Sequence, residues 1–431
     1  MDQKLENNGI SRRNLLQASA AAAAGSNLNP GLLQANRPSP AGKDLIRVGL
    51  IGCGGRGTGA AAQALAADPV KLVAMGDAFI DHVESSLAKL KADPRIAEKI
   101  DVPPERRFSG FENYQQVIDS GVDVVLLAEP PHFRPKHLKA AIEAGKHVFA
   151  EKPVAVDAPG VRSVLATCDE ARRKGLSVVS GLCLRYAYGF REAVQRIHDG
   201  AIGEITTVQA SDFRGPIWVR NRQPGWSDLE YQVRNWYYFS WLSGDFIVEQ
   251  HVHFLDVCSW IMKGEYPVKA IGTGGRQVRT GADYGNIYDH HSVIYEYANG
   301  AKLYGICRQQ QGCHNETGAF VMGTEGRAEL SQQRQTISGR NPWKYDGPKN
   351  NFYQTEHDEL FASIRSGKPI NNGDYMSKTT LLAIMGRTAS YTGQVVTWEQ
   401  TMNSREDCTL SKYEWGPFPE PSVAMPGQKA G

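Results

Sequence analysis

No stretch of the chain holds the roughly 20 consecutive apolar residues that a bilayer-crossing helix needs, so no membrane span is expected. A surplus of one charge is missing too. The 48 Lys and Arg against 46 Asp and Glu leave a formal charge of +2, too weak a field for a protein that holds nucleic acid through its phosphates. Cysteine is sparse: seven in 431 residues, with no C-x-x-C pair and an odd total, which defines neither a zinc site nor a disulfide framework. What is present is globular material. The chain is 41% hydrophobic and 22% charged, long enough for two or three domains, and its 44 glycines follow no G-X-Y period and so point to tight turns. Its partners are expected to be small molecules.

Residues 1–43 differ from the rest. Ser11-Arg12-Arg13-Asn14-Leu15-Leu16, an alanine-rich run through Ala24 and a polar stretch to Lys43 resemble a twin-arginine export signal and linker, which implies a periplasmic or otherwise exported protein. A disordered cytoplasmic extension is the alternative.

From residue 44 the pattern changes to α/β. A short apolar strand ending at Ile51 runs into Gly52-Cys53-Gly54-Gly55-Arg56-Gly57, and a small-residue helix follows. Gly52, Gly54 and Gly57 satisfy G-x-G-x-x-G, and Asp77 stands 20 residues beyond the third glycine at the end of a second strand. The glycines allow the turn, the backbone approach to a pyrophosphate and close helix packing, while the acid can accept the ribose hydroxyls. This favours NAD, with Arg56 leaving NADP open. Strands at Val122–Leu127, Lys146–Ala150 and Leu176–Gly181 alternate with helices at Lys136–Ala144 and Pro159–Lys174, a doubly wound parallel sheet with its ligand at the strands' carboxyl ends. A Rossmann domain over 44–182 is expected.

Ala128-Glu-Pro-Pro-His132, Ala144-Gly-Lys-His-Val148 and Glu151-Lys152-Pro153 resemble the Gfo/Idh/MocA family of oxidoreductases over about residues 44 to 400. Glu249, His253 and Asp256 fit the family's D-x-x-x-H-x-x-D pattern, with Glu249 in place of Asp. The resemblance implies that Pro130, His132, Glu151 and Lys152 face the cofactor, that Lys152 and His253 are catalytic, that Arg185-Tyr186 is the pair at the domain junction and contributes to the substrate site, and that the protein forms a homodimer or homotetramer. Read from the residues alone, a helix over 246–262 would put Glu249, His253 and Asp256 on one face, with Glu249 orienting the imidazole of a general base. Lys152 would then stabilise an alkoxide-like charge. The rival readings are a solvated lysine, a core histidine, and a metal site built from Glu249, His251, His253, His290 and His291. The last is disfavoured because His251 lies off that face, so no metal is expected.

Residues 183–400 read as an α+β domain with a large antiparallel sheet: Glu204–Phe213, Val268–Val278, Ile287–Tyr297 and Lys302–Gln310, with helices over 350–367 and 377–393. In the aromatic segment 234–241, Trp236 and Tyr237 are candidates for stacking on a sugar, and Phe239 and Trp241 for the core. Asp256, His290, His291 and Arg308 are further candidates for the substrate cleft. The tail, 401–431, is expected to wrap the surface or a neighbouring subunit. The expected function is hydride transfer between a sugar or polyol hydroxyl and a tightly bound nicotinamide. The alternatives are a redox-neutral NAD-dependent glycosidase or lyase acting through a keto-sugar, and a non-catalytic sugar-binding protein.

Overall fold

The computed structural model describes residues 45–428; the arginine pair at positions 12 and 13 lies outside them. The amino-terminal half holds β1 (Ile46–Ile51), α1 (Gly55–Ala66), β2 (Val70–Asp77), α2 (Ile80–Lys91), β3 (Arg107–Ser109), α3 (Asn113–Asp119), β4 (Val124–Leu127), α4 (Arg134–Glu143), β5 (His147–Ala150), α5 (Ala158–Arg173) and β6 (Val178–Ser180). The six strands are parallel, in the order β3-β2-β1-β4-β5-β6. Val124–Leu127 and His147–Ala150 are buried throughout, as strands covered by helices on both faces must be. The order reverses between β1 and β4, and a crevice opens there at the carboxyl ends.

Next come α6 (Tyr188–His198), β7 (Ile205–Arg214), α7 (Asp228–Arg234), α8 (Ser240–Ser243), α9 (Phe246–Glu249), α10 (Val252–Ile261), β8 (Lys269–Gly275), β9 (His290–Glu296), β10 (Lys302–Gln309), β11 (Glu316–Gly323), β12 (Gly326–Leu330), β13 (Gln335–Gly339) and β14 (Trp343–Lys344). With β15 (Val396–Thr397) they make a nine-stranded sheet, β14-β13-β12-β11-β7-β10-β9-β8-β15. The expected antiparallel sheet needs one correction: β7 and β10 are parallel. The long excursion between β7 and β8 lets β8 and β9 form away from β7, so that β10 returns beside it running the same way. One face packs on helices; the other exposes Ile271, Ile294 and Met322.

α11 (Phe352–Ser366) and α12 (Gly373–Thr392) return the chain to the first half, and α13 (Trp398–Met402) follows β15. α12 is buried along most of its length between α5, α10 and β8, which is why it shows no clean polar stripe.

Candidate active site

The glycine loop has the shape a dinucleotide requires. Gly52 has φ +91°, open to glycine at little cost, and a side chain on Gly57 would collide with the Gly52 carbonyl. A Cβ at Gly54 or Gly55 would meet nothing within 4 Å, which leaves room before the α1 N-terminus for a pyrophosphate. Asp77 closes the loop by accepting the Cys53 N–H at 2.7 Å and the Phe79 N–H at 3.0 Å. Asp77, Gly52, Gly54, Pro130, Phe79 and Phe111 line one continuous cleft, so the chain's residues fit NAD. Trp236 lines this cleft as well, placed with the nucleotide residues rather than with Tyr237.

Arg56 points elsewhere. It pairs with Glu151 and, at 2.9 Å, with Glu356. Burial opposes its charge, but the two carboxylates outweigh that and raise its pKa. Burial and the nearby Glu151 push the Glu356 carboxyl well above the usual range. The guanidinium is thus committed to protein partners, and the reason to leave NADP open is removed. We expect Asp77→Ser to weaken NAD about tenfold, the scale of one hydrogen bond to a charged group, and to relieve exclusion of NADP; an unchanged preference on titration would take Asp77 out of the site.

The expected helix over 246–262 is broken. α9 ends at Glu249 and α10 begins at Val252, and the His251 N–H reaches back to the Phe246 carbonyl at 3.1 Å, one residue wider than an α-helical bond. The break frees the Glu249 carbonyl, and Lys152 takes it: Nζ donates to Glu249 O at 2.6 Å and to Oε1 at 2.8 Å. Glu249 therefore pairs with Lys152, and the expected orienting bond to His253 is not formed. His253 is half-buried, and its Nδ1 is sealed in without a partner. Burial, then the charges of Lys152, Arg214 and Arg56, hold its pKa well below the ordinary value, so the imidazole rests neutral.

Two side chains join this group without having been singled out in the sequence. Asp212 and Arg214 sit at alternate positions near the end of β7, on the helix-facing side, paired at 2.5 Å. Arg214 also donates to Gln250 Oε1 at 3.1 Å, in the break between the helices. The only local signal is the D-x-R alternation at a strand end. Tyr237 is buried behind them and accepts a hydrogen bond from Gln309 at 2.8 Å.

The other candidates are occupied. Arg185 grips Asp256 through two bonds of 2.8 and 2.9 Å and stacks on Tyr375, and Thr379 donates to the same carboxylate at 3.1 Å. Tyr186 donates to Asn372 at 2.9 Å in the core. His290 pairs with Asp289 and stands opposite Arg308 on the outer face of the sheet, away from the helices. His291 is buried, with Nδ1 2.8 Å from Ser390 Oγ and Nε2 3.4 Å from Asp245, which begins α9 at φ +74°. His251 is sealed beneath the sheet, and burial takes its pKa down to about 3. His132 is buried with Nε2 2.7 Å from the Tyr413 hydroxyl.

Residues 46–180 match a family model described as an oxidoreductase family with an NAD-binding Rossmann fold, and residues 190–329 match a GFO/IDH/MocA C-terminal domain. Inositol 2-dehydrogenase of Rhizobium meliloti is 23% identical over 74% of this chain and 86% of its own length. 2,7-Anhydro-N-acetylneuraminate hydratase of Mediterraneibacter gnavus is 24% identical over 64% of this chain and 70% of its own length. The structure of aldose-aldose oxidoreductase from Caulobacter crescentus, complexed with glycerol, superposes with a TM-score of 0.64 at 20% identity, over 82% of this chain and 100% of that one. Levoglucosan dehydrogenase in complex with NADH gives a TM-score of 0.65 at 18% identity, over 82% and 99%. These structures share the fold.

Proposed function

The chain belongs to the Gfo/Idh/MocA family of NAD-dependent oxidoreductases, and from that premise we propose that it oxidises or reduces a sugar or polyol at Lys152 and His253. The observation that carries this reading is the setting of Lys152, which commits its ammonium to the Glu249 carbonyl and carboxylate and keeps a third N–H for a substrate oxygen. There it would hold the reacting hydroxyl and offset negative charge as it develops. The neutral His253 would accept the hydroxyl proton on Nε2. Asp212, Arg214 and Gln250 would fix the neighbouring hydroxyls, an acceptor and donors held on rigid elements. Bound NAD supplies the hydride acceptor. Names among the relatives, inositol and sugar-type dehydrogenases, support the substrate class. A panel of aldoses, inositols and glycerol, followed by nicotinamide absorbance, tests it; a panel that leaves the cofactor spectrum unchanged would sink the reading.

We further propose that the chain is exported by the twin-arginine route, on the motif at Arg12-Arg13, and self-associates through the apolar outer face of the large sheet. Replacing both arginines by lysine should leave the protein in the cytoplasm on fractionation; normal export of that variant would remove the assignment.

A further inference from the structure

The described segment after α13, residues 403–428, has no regular secondary structure, yet it is tied down along its length. It starts on the nucleotide-binding half, where Arg162 donates to the Met402 and Ser404 carbonyls at 2.6 and 3.0 Å and the Cys408 N–H donates to Asp157 at 2.8 Å. It then reaches the cofactor cleft. The Tyr413 hydroxyl meets His132, and the Trp415 ring lies 4.2 Å from Phe111 and stacks on Phe79 at 5.2 Å. Phe79 and Phe111 are themselves walls of the cleft that holds Asp77. The chain next crosses to the other half: the Gly416 carbonyl accepts the Leu229 N–H at 3.2 Å, the Phe418 N–H donates to Asp228 at 3.2 Å, and the Pro419 carbonyl accepts from Gln232 at 3.0 Å. Its far end is held by Tyr288, which donates to the Ala424 carbonyl at 2.9 Å.

A second tie runs beside it. Arg234 at the end of α7 grips Asp81 at 3.1 and 3.2 Å and lies 3.8 Å over the Phe79 ring. The Asp77 end of the cleft is therefore backed by aromatic rings from the carboxyl-terminal segment and spanned by contacts from both halves. An opening that parts the two halves at this end of the cleft breaks these contacts, so they bear on a release rate as well as on an affinity. The segment lies beyond both matching family models, the second of which ends at residue 329.

We propose that residues 404–427 are a strap that retains NAD between turnovers: Tyr413 and Trp415 brace the aromatic wall of the cleft, and the stretch from Gly416 to Ala424 fastens the two halves across it. Stacked rings of this kind contribute on a scale that corresponds to roughly a factor of 2 to 12 each, so paired losses should be readily measured as a rate.

The test uses the full chain loaded with NAD, desalted, and incubated with excess unlabelled NAD after loading with a radiolabelled one; the readout is label retained per chain, independent of turnover. Trp415 is 40% exposed, so Trp415→Ala removes the brace without hollowing the core. Trp415→Ala combined with Tyr413→Phe, which removes one stacked ring and the hydroxyl contact to His132, should release label about tenfold faster than the unaltered protein, with unchanged thermal unfolding. Phe418→Ala, which removes the ring packed 5.3 Å from Trp241 and so loosens the fastening rather than the wall, should also release faster. Equal release from all three proteins would overturn the strap, as would loss of all label from the unaltered protein during desalting. Equilibrium titration separates the two levels: normal NAD affinity with rapid release defeats the strap alone, whereas no binding defeats the cofactor assignment with it.

Discussion

Replacing His253 with alanine should lower turnover by about two to four orders of magnitude while NAD binding stays near that of the unaltered protein, because a positioned proton acceptor contributes about that much and the imidazole is absent from the glycine-loop end of the cleft. Stopped-flow turnover on a sugar that reduces the cofactor, with a parallel NAD titration, checks it. The pH profile adds a sign. A base whose pKa is depressed keeps its accepting form at every pH above that depressed value and loses it only as pH falls through it, so kcat/KM should stay flat on the acid side through the ordinary histidine value of 6.5. Lys152→Met removes one of the charges that hold His253 down. Its residual activity should be low, and the acid limb should move to higher pH. The double variant should lose less than the two losses combined, since both side chains act on one hydroxyl in one transition state. An active His253→Ala protein would place the base elsewhere, with Asp212, which its pairing with Arg214 brings into the group, as the candidate.

Asp256→Ala should destabilise the fold by about 3 kcal/mol, read from denaturant unfolding, because it leaves the Arg185 guanidinium facing a vacated, buried site. The Asp256 side chain is 1% exposed and Arg185 17%, so solvent replaces little of what is lost. Tyr375 and Trp260 would still flank the cation, at 3.8 and 5.2 Å, without supplying an anion. Asp256→Leu with Arg185→Met should recover part of the loss, since removing both charges ends the unpaired burial. KM for the sugar should change little once the protein is folded. A large KM effect with normal stability would restore Asp256 and Arg185 to the substrate cleft.

Much of the nucleotide half was legible from the sequence because its signals are local. Strand, glycine turn, helix and acid follow one another within 32 residues, and each is specified by its own stretch of backbone. The glycines at 52 and 57 are needed for close backbone contacts whatever packs above them, and the apolar runs of β4 and β5 read as buried strands by themselves. The second sheet was less legible. Strands β11 to β14 were missed, since β14 is two residues long and β12 and β13 owe their existence to pairing with each other.

At the site, residue types were readable and partners were not. The sequence alone determined that Lys152 would stand at the end of a parallel strand and that a dinucleotide loop would precede it, and it placed His253 inside one unbroken helix. Tertiary structure decided that Glu249 serves Lys152, 97 residues away, through a break that frees its own carbonyl. It likewise decided that Arg185 and Asp256 satisfy each other, that Arg56 is spent on two glutamates, and that Asp212 and Arg214 join the group from another strand. The reason is physical. Backbone form depends on the neighbours within a turn or a pleat, whereas a buried charge takes whichever opposite charge the packing brings within hydrogen-bonding distance, and that choice exists only once the chain is folded.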